Sequence, residues 1–160
     1  MGNCLEKVDE SKIMYYSVSI QKNMWRKYYF LSDPQISRII EKYPNIKLNS
    51  EFHSTLLFTN GKDNTKSLEL IQLLNTLCLV TVKSIAISSD FIVLGVSSIT
   101  DKNGNPIPYF GNPIMHITIA VRNGCKAKDS PSAFTEGVGH VHIFNKPKIF
   151  NCKLIANKIK

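Results

Sequence analysis

The sequence predicts an α+β fold in which antiparallel sheets form the centre and helices lie on the outside. Two segments with helical spacing of apolar residues occur in the first half of the chain, and strand-like segments dominate the second half. Helices followed by runs of strands are typical of this fold class. Two strand-like segments, EFHSTLLF and IMHITIAV, also share a His-x-Thr pattern. The repeated pattern predicts a bilobal fold with a pseudo-twofold axis and a central cleft between the lobes.

The length and composition of the chain predict a single domain. With 160 residues, of which 43% are hydrophobic, the chain can bury a core of its own. We assign residues 13–160 to this domain and residues 1–12 to a flexible N-terminal arm. Gly2 and Cys4 are candidates for acylation, but Glu6 occupies the position where the myristoylation pattern has Ser or Thr. The sequence therefore leaves acylation open.

No part of the sequence indicates a membrane or a secretory route. The chain has no apolar run of about 18 residues, the length at which a segment becomes a candidate membrane helix, and its N-terminus has no apolar signal core. The four cysteines are not spaced like zinc ligands or like the framework of a small secreted domain. These features predict a cytoplasmic protein with reduced thiols and no membrane partner.

The first half of the chain predicts two strands and a helix. Residues 13–20, IMYYSVSI, are rich in the aromatic and β-branched residues typical of strands. The sequence SDP at 32–34 is a favourable helix start, and apolar residues then recur at helical spacing until Pro44. Residues 51–58 form the first His-x-Thr strand, which ends before the turn residues Asn60 and Gly61.

The second half predicts one more helix and five further strands. The helix, at 66–78, has the leucine spacing of an amphipathic helix. DKNGNP at 101–106 predicts a turn, and the segment 122–135 predicts a long polar loop of the kind that often contacts ligands. The predicted strands are 79–87, 90–96, 114–121 (the second His-x-Thr strand), 140–144 and 148–156.

The two His-x-Thr segments are the strongest functional signal in the chain. Successive side chains of a strand point to opposite faces, so His53 and Thr55 share a face, and so do His116 and Thr118. Imidazole titrates near neutral pH and can act as general base or general acid. A threonine hydroxyl can donate a hydrogen bond to a phosphoryl oxygen. The pattern therefore predicts an acid–base site for a phosphate that needs no metal or other cofactor.

HSTLLF and HITIAV resemble the paired motifs of the two-histidine (2H) phosphoesterases. This superfamily includes LigT-like RNA phosphodiesterases, the cyclic phosphodiesterase domain of fungal tRNA ligases, and viral phosphodiesterases that destroy immune second messengers. The resemblance covers about residues 13–150 and implies that His53, Thr55, His116 and Thr118 are catalytic. Ser54 stands where the family often has an aliphatic residue, but this position faces away from the site. The short chain and its compositional bias resemble the viral members.

The resemblance leaves the substrate open. The first choice is a 2′-linked or cyclic ribonucleotide signal, namely 2′,3′-cGAMP or 2′-5′ oligoadenylate, cleaved to counter host immune signalling. An RNA end with a 2′,3′-cyclic phosphate is the alternative. A binding module that holds RNA or nucleotides without cutting them, and a structural protein with coincidental motifs, are two further classes. No obligate protein partner is evident.

Aromatic and loop residues are the candidates for substrate binding, and each also has an ordinary structural interpretation. The aromatic side chains can stack on a base or pack in the core, the loop residues can meet phosphate and ribose or simply remain solvated, and the carboxylate can accept a hydrogen bond from a base edge. A net charge of +8 attracts anionic ligands in general. These candidates are Tyr15, Tyr16, Trp25, Tyr109, Phe110, Lys126, Lys128, Ser130, Ser132 and Glu136.

A metal site is the weaker interpretation of the histidines. Two-metal phosphoesterases need several carboxylates, and only Glu51 is close in sequence to His53. His140 and His142 have period-two spacing and could bind a metal weakly, or they could simply share one face of a surface strand. We expect no metal at the site.

Overall fold

A computed structural model describes residues 9–20, 34–44, 46–49, 51–62 and 64–158. Within these ranges, seven antiparallel strands form one continuous sheet. The strands are β1 (Ile13–Ile20), β2 (Ile46–Leu48), β3 (His53–Phe58), β4 (Leu77–Ile87), β5 (Phe91–Asp101), β6 (His116–Arg122) and β7 (His140–Lys158).

The order of the strands brings the two His-x-Thr strands together. The order in the sheet is β2-β6-β5-β4-β7-β1-β3, so β3 is one edge strand and β6 lies next to the other edge. The sheet curls until β3 contacts β6. On the other side of β6, the backbone N–H of Asn49 donates to the carbonyl of Ile119 and extends the pairing with β2. A right-handed twist that accumulates over several strands favours such curling. The result is a sheet that is nearly closed into a barrel.

Two helices are described, and one of them is shorter than the sequence predicts. α1 spans Pro34–Glu41 and α2 spans Ser67–Ile71. The helix predicted at 66–78 is wrong after Ile71, because turns follow and β4 begins at Leu77. Asn75 adopts a left-handed backbone with φ of 69°, a conformation that ends a helix. The leucines beyond Ile71 therefore belong to a turn that packs against the core.

The C-terminal half differs from the predicted elements in two places. The predicted loop contains a 3₁₀ segment, Ala127–Phe134, in which Ser130, Pro131 and Ala133 are buried. The predicted terminal pair of strands is one long strand, β7, that pairs with β4 along both of its halves and with β1 near its end. The register shifts between Val82 and Ser84, and this irregularity lets one strand span both halves.

The core lies on one side of the strands that carry the histidines. On β3, Ser54, Leu56 and Leu57 are buried, whereas His53 and Thr55 are half-buried. Strand β6 repeats the alternation. Strand β1 sends Tyr16, Val18 and Ile20 into the same core, so burial of the apolar face fixes the direction of the polar face.

The structure agrees with the coarse fold class, an antiparallel α+β protein. The division into two lobes with a pseudo-twofold axis, and the boundary between arm and domain at residue 12, stay predictions. Glu10–Lys12 form a 3₁₀ turn capped by the side chain of Asp9. The acylation candidates Gly2 and Cys4, and Trp25, lie outside the described residues. Neither described helix has the length and apolar composition to cross a bilayer.

Candidate active site

Strand β3 presents His53 and Thr55 to a cleft. In the pairing with β1, Ser19 lies opposite His53 and Ser17 opposite Thr55. A register shift follows between Tyr16 and Ser17. The ring of Tyr15 stacks on the imidazole of His53, with ring centroids 5.4 Å apart and an angle of 29° between the planes. The stacking restricts rotation of the His53 ring.

Strand β6 presents His116 and Thr118 to the same cleft. Ile117 and Ile119 are fully buried on its opposite face. Gly95 of β5 lies opposite His116 in the register. A Cβ at Gly95 would lie 2.2 Å from the Oγ of Ser84, so any larger residue there would displace the Ser84 side chain.

The cleft has a volume of about 630 Å³. This volume is in the range of small-molecule sites. Both histidines and both threonines of the two motifs line it. The complete lining is Tyr15, Asn49, His53, Thr55, Leu57, Phe58, Phe110, Gly111, Asn112, His116, Thr118, Ala127 and Lys128.

A backbone contact fixes the orientation of the His116 ring. The Nδ1 of His116 lies 2.7 Å from the carbonyl oxygen of Ile114. A carbonyl can only accept, so Nδ1 carries the proton and Nε2 is the nitrogen that can exchange one. Burial lowers the pKa of His116, and the hydrogen bond to Ile114 partly opposes this shift by favouring the charged ring.

His53 is also easier to deprotonate than an ordinary histidine. Burial lowers its pKa most, the nearby carboxylate of Glu51 opposes the shift, and the positive charge of a protonated His116 lowers the pKa further. The electrostatic coupling means that protonation of one histidine disfavours protonation of the other. In the absence of an anionic ligand both rings are therefore neutral at pH 7.

The two threonines differ in their partners. The Oγ1 of Thr118 lies 2.6 Å from the Oγ of Ser130, which is fully buried in the 3₁₀ segment. No hydrogen bond within the described residues holds the hydroxyl of Thr55. Thr118 is thus held by a neighbour, whereas Thr55 is free to rotate toward a ligand.

The segment before β6 forms the wall of the cleft beside β3. The backbone N–H of Phe110 donates to the carbonyl of Leu56 at 2.8 Å. A Cβ at Gly111 would lie 2.8 Å from the carbonyl oxygen of Thr55, so this close approach needs glycine. The Nζ of Lys66 lies 5.5 Å from the centre of the Phe110 ring, a cation–π distance that holds the ring at the cleft.

Four of the five predicted aromatic residues are described, and they divide into three groups. Tyr15 and Phe110 line the cleft. Tyr109 is half-buried beside it, packs against the core, and donates its hydroxyl to the carbonyl of Asn112. Tyr16 is fully buried on the core face of β1, which corrects the prediction that it stacks on a base. The position of Trp25 is outside the described part of the chain.

The predicted loop residues in and beside the 3₁₀ segment face different surroundings. Lys128 lines the cleft, whereas Lys126 and Ser132 line a shallower depression of about 470 Å³ next to it. Lys128 borders both. Glu136 is exposed and lines neither. Ser130 does not face a ligand, because it is buried against Thr118.

Several lining residues escape sequence reasoning. Asn49 donates its side-chain amide to the carbonyl of Thr118 at 3.0 Å. Asn112 also lines the cleft, and its side-chain oxygen accepts from the backbone N–H of Ile114 at 2.9 Å. Both residues are in connections whose position depends on long-range packing. The turn preference of asparagine indicates a loop but not which loop reaches the site.

A metal centre has no support among the described residues. They contain no group of three or more histidine, cysteine, aspartate or glutamate side chains placed to hold an ion. His140 is exposed, and His142 packs edge-on against the ring of Phe144. Cys78, Cys125 and Cys152 are free thiols.

Comparisons with known proteins give a fold but no family. No protein-family model matches the chain, and no curated protein matches it significantly. Among solved structures, the chain is similar to the crystal structure of a fungal RNA kinase, with a TM-score of 0.60 and 18% sequence identity. The similarity covers 98% of this chain and 47% of that one, so the chain spans about half the length of the RNA kinase. Identity this low describes the shared fold alone.

Proposed function

We propose that the protein is a metal-independent phosphodiesterase that cleaves a ribonucleotide bond with two histidines. The observation that carries this proposal is the convergence of two His-Thr pairs, from strands 63 positions apart (53 to 116), on the lining of one cleft. Paired acid–base groups and hydroxyl donors around one cavity are the set that phosphodiester cleavage needs.

The chemistry assigns a role to each group. One imidazole is neutral and removes a proton from the attacking oxygen, and the other is protonated and delivers a proton to the leaving oxygen. The hydroxyls of Thr55 and Thr118 donate to the non-bridging oxygens. Lys128 supplies a positive charge at the rim. A bound phosphate is itself anionic and stabilises the imidazolium that the free cleft disfavours.

The preferred substrate class is a small 2′-linked or cyclic ribonucleotide, with 2′,3′-cGAMP first and 2′-5′ oligoadenylate second. A cleft of about 630 Å³ suits a ligand of one or two nucleotides. Tyr15 and Phe110 offer aromatic faces for a base, and base stacking contributes about 1–3 kcal/mol. A ribose hydroxyl beside the scissile phosphate would provide an internal nucleophile that is already positioned. A role against host nucleotide signalling rests on the family resemblance.

Processing of RNA ends with a 2′,3′-cyclic phosphate is the second candidate. The observation that favours it is the fold similarity to a protein named as a fungal RNA kinase. The kinase activity itself is not proposed for this chain, which spans less than half of that protein.

Product analysis separates these substrates. The protein is incubated in EDTA with 2′,3′-cGAMP, 2′-5′ oligoadenylate, an RNA with a 2′,3′-cyclic end and a deoxyribose analogue that lacks the internal nucleophile. We expect cleavage of a 2′-linked or cyclic ribonucleotide. Turnover of the RNA end alone would select RNA processing, cleavage of the deoxyribose analogue would indicate attack by water, and binding without cleavage of any substrate would refute the phosphodiesterase.

A further inference from the structure

Ser130 is a polar residue enclosed by the fold at a point directly behind the cleft. Its side chain is fully buried, and its hydroxyl lies 2.6 Å from the hydroxyl of Thr118. Thr118 faces the cleft, whereas Ser130 does not line it. A short contact between one buried and one cleft-facing hydroxyl links the 3₁₀ segment to the second His-x-Thr motif.

Packing on two sides holds the segment that carries Ser130. The ring of Phe134 lies against Gly95, where an added Cβ would be 3.2 Å from its Cζ. The carbonyl of Ala133 lies against Gly139, where an added Cβ would be 2.2 Å from the oxygen. Pro131 follows Ser130 and restricts its backbone. The position of the Ser130 hydroxyl is therefore set by the fold and not by a ligand.

The direction of the hydrogen bond follows from burial. A buried hydroxyl that donates to nothing loses its hydrogen bonds to water without replacement. Thr118 is the one hydrogen-bond partner of the Ser130 hydroxyl within the described residues, so Ser130 donates to the Oγ1 of Thr118. The hydrogen of Thr118 is then directed elsewhere, and the cleft is where its side chain faces.

The first motif has no equivalent. The hydroxyl of Thr55 has no hydrogen bond from another described side chain, and the His53 ring is restrained by stacking. In the second motif, both members are restrained by hydrogen bonds, His116 to Ile114 and Thr118 to Ser130. The two halves of the site are thus unequal in preorganisation although their sequences match.

We propose that Ser130 is a positioning residue that turns the hydroxyl hydrogen of Thr118 toward the scissile phosphate. Thr118 is then a preset donor to the phosphoryl oxygen, and Thr55 is an adjustable one. This inference rests on the proposed phosphodiesterase function. A preset donor lowers the barrier more than it strengthens substrate binding, because the oxygen gains charge in the transition state.

The test compares four variants, and a fifth that restores a weak donor, on the substrate that the unmodified protein cleaves. They are S130A, T118V, the double variant, and S67A as the matched control, since Ser67 is also a fully buried, hydrogen-bonded serine but does not line the cleft. We expect S130A to lower kcat about tenfold, the factor expected for one hydrogen bond, with KM little changed. S130C, which keeps a weak donor, should recover part of the loss.

The double variant distinguishes positioning from a general structural role. If Ser130 acts through Thr118, S130A has no further effect on kcat once Thr118 is valine. S67A should lower the melting temperature as much as S130A does while kcat is unchanged. An S130A variant with normal kcat, or a full additional loss in the T118V background, would overturn the proposal.

A binding measurement keeps this inference separate from the proposed function. The adduct of adenosine with vanadate across its 2′ and 3′ hydroxyls imitates the five-coordinate transition state but has no bond to cleave. Its affinity should fall in S130A only when Thr118 is present. Absence of turnover by the unmodified protein would refute the phosphodiesterase, whereas equal affinity of S130A and the unmodified protein for this vanadate adduct would refute the role of Ser130.

Discussion

At the scale of single residues, the environment of the two imidazoles determines how the site responds to pH. Burial lowers the pKa of both His53 and His116 below the ordinary value of 6.5. A lowered pKa means that each ring loses its proton at a lower pH than a free histidine. The protonated member of the pair is therefore scarce at neutral pH in the free protein.

We predict a bell-shaped pH profile of kcat/KM with its maximum below pH 6.5. This quantity reports the free enzyme, in which one histidine must be protonated and the other neutral. On the alkaline side, kcat/KM begins to fall below pH 6.5, because the histidine that acts as the acid loses its proton at its lowered pKa. Initial rates at low substrate concentration across the pH range provide the measurement. A maximum at about pH 8 or above, where both rings are neutral, would contradict it.

The residue between His53 and Thr55 offers a test of the strand orientation. Ser54 is buried and its hydroxyl has no hydrogen-bond partner within the described chain. S54A should raise the free energy of unfolding by about 1 kcal/mol, since an unsatisfied buried polar group costs about that much or more. Urea unfolding measures the change. S17A is the control, because Ser17 is also buried but donates to Asn157 at 2.8 Å. If S54A lowers the free energy of unfolding as much as S17A does, the orientation of the strand is contradicted.

The two loop lysines are equivalent in sequence but not in position. Lys128 lines the cleft and Lys126 lines the neighbouring depression. K128A should raise KM about fivefold, the effect of about 1 kcal/mol expected for an exposed charge pair. K126A should raise it less, and added salt should reduce the difference. Steady-state kinetics at low and high salt test this, and equal effects of both variants would show that the cleft is not where the phosphate binds.

At the scale of elements, the 3₁₀ segment Ala127–Phe134 connects the stability of the fold to the site. It covers Gly95 and Gly139 with Phe134 and Ala133, and it holds Ser130 against Thr118. Displacement of this segment would therefore affect both the packing and the cleft.

We predict that G139A reduces stability and kcat together. A Cβ at this position would lie 2.2 Å from the carbonyl oxygen of Ala133, and backbone cannot rotate away as a side chain can. Overpacking of this kind costs about 1–3 kcal/mol. Thermal unfolding and kcat of G139A are compared with those of G104N as the control. Asparagine tolerates the φ of 86° at position 104, and its Cβ would have no neighbour within 4 Å there. A G139A protein as stable and active as G104N would contradict the packing.

The elements also show where sequence reasoning succeeds. Strand β1 is predicted over its full length, and β3 to within two residues, because alternation is a local property of a strand. Helix α2 is overestimated because leucines of a turn that pack on the core imitate helical spacing. The 3₁₀ segment and the contact of Ser130 with Thr118 depend on packing between residues 12 positions apart, and no local pattern encodes that packing.

At the scale of the whole molecule, the site exists because one sheet curls until its edge strand β3 contacts β6, the strand next to the other edge. The sequence predicts which side chains share a face on each strand, and therefore that His53 pairs with Thr55 and His116 with Thr118. It does not predict the strand order that brings β3 to β6, because that order depends on long-range pairings. Residues such as Asn49, in connections between strands, reach the cleft only as a consequence of that order.

The most direct test of the account is the activity of single histidine variants in EDTA. H53A and H116A are assayed with H142A as the control, since His142 lies on β7 and does not line the cleft. Each cleft variant should lose about a hundredfold to ten-thousandfold in kcat, the contribution of one general acid or base. The double variant should be little worse than either single one, because the pair acts as a unit, and H142A should keep full activity. Unchanged activity in H53A or H116A, or an activity lost in EDTA and restored by zinc, would contradict the two-histidine mechanism.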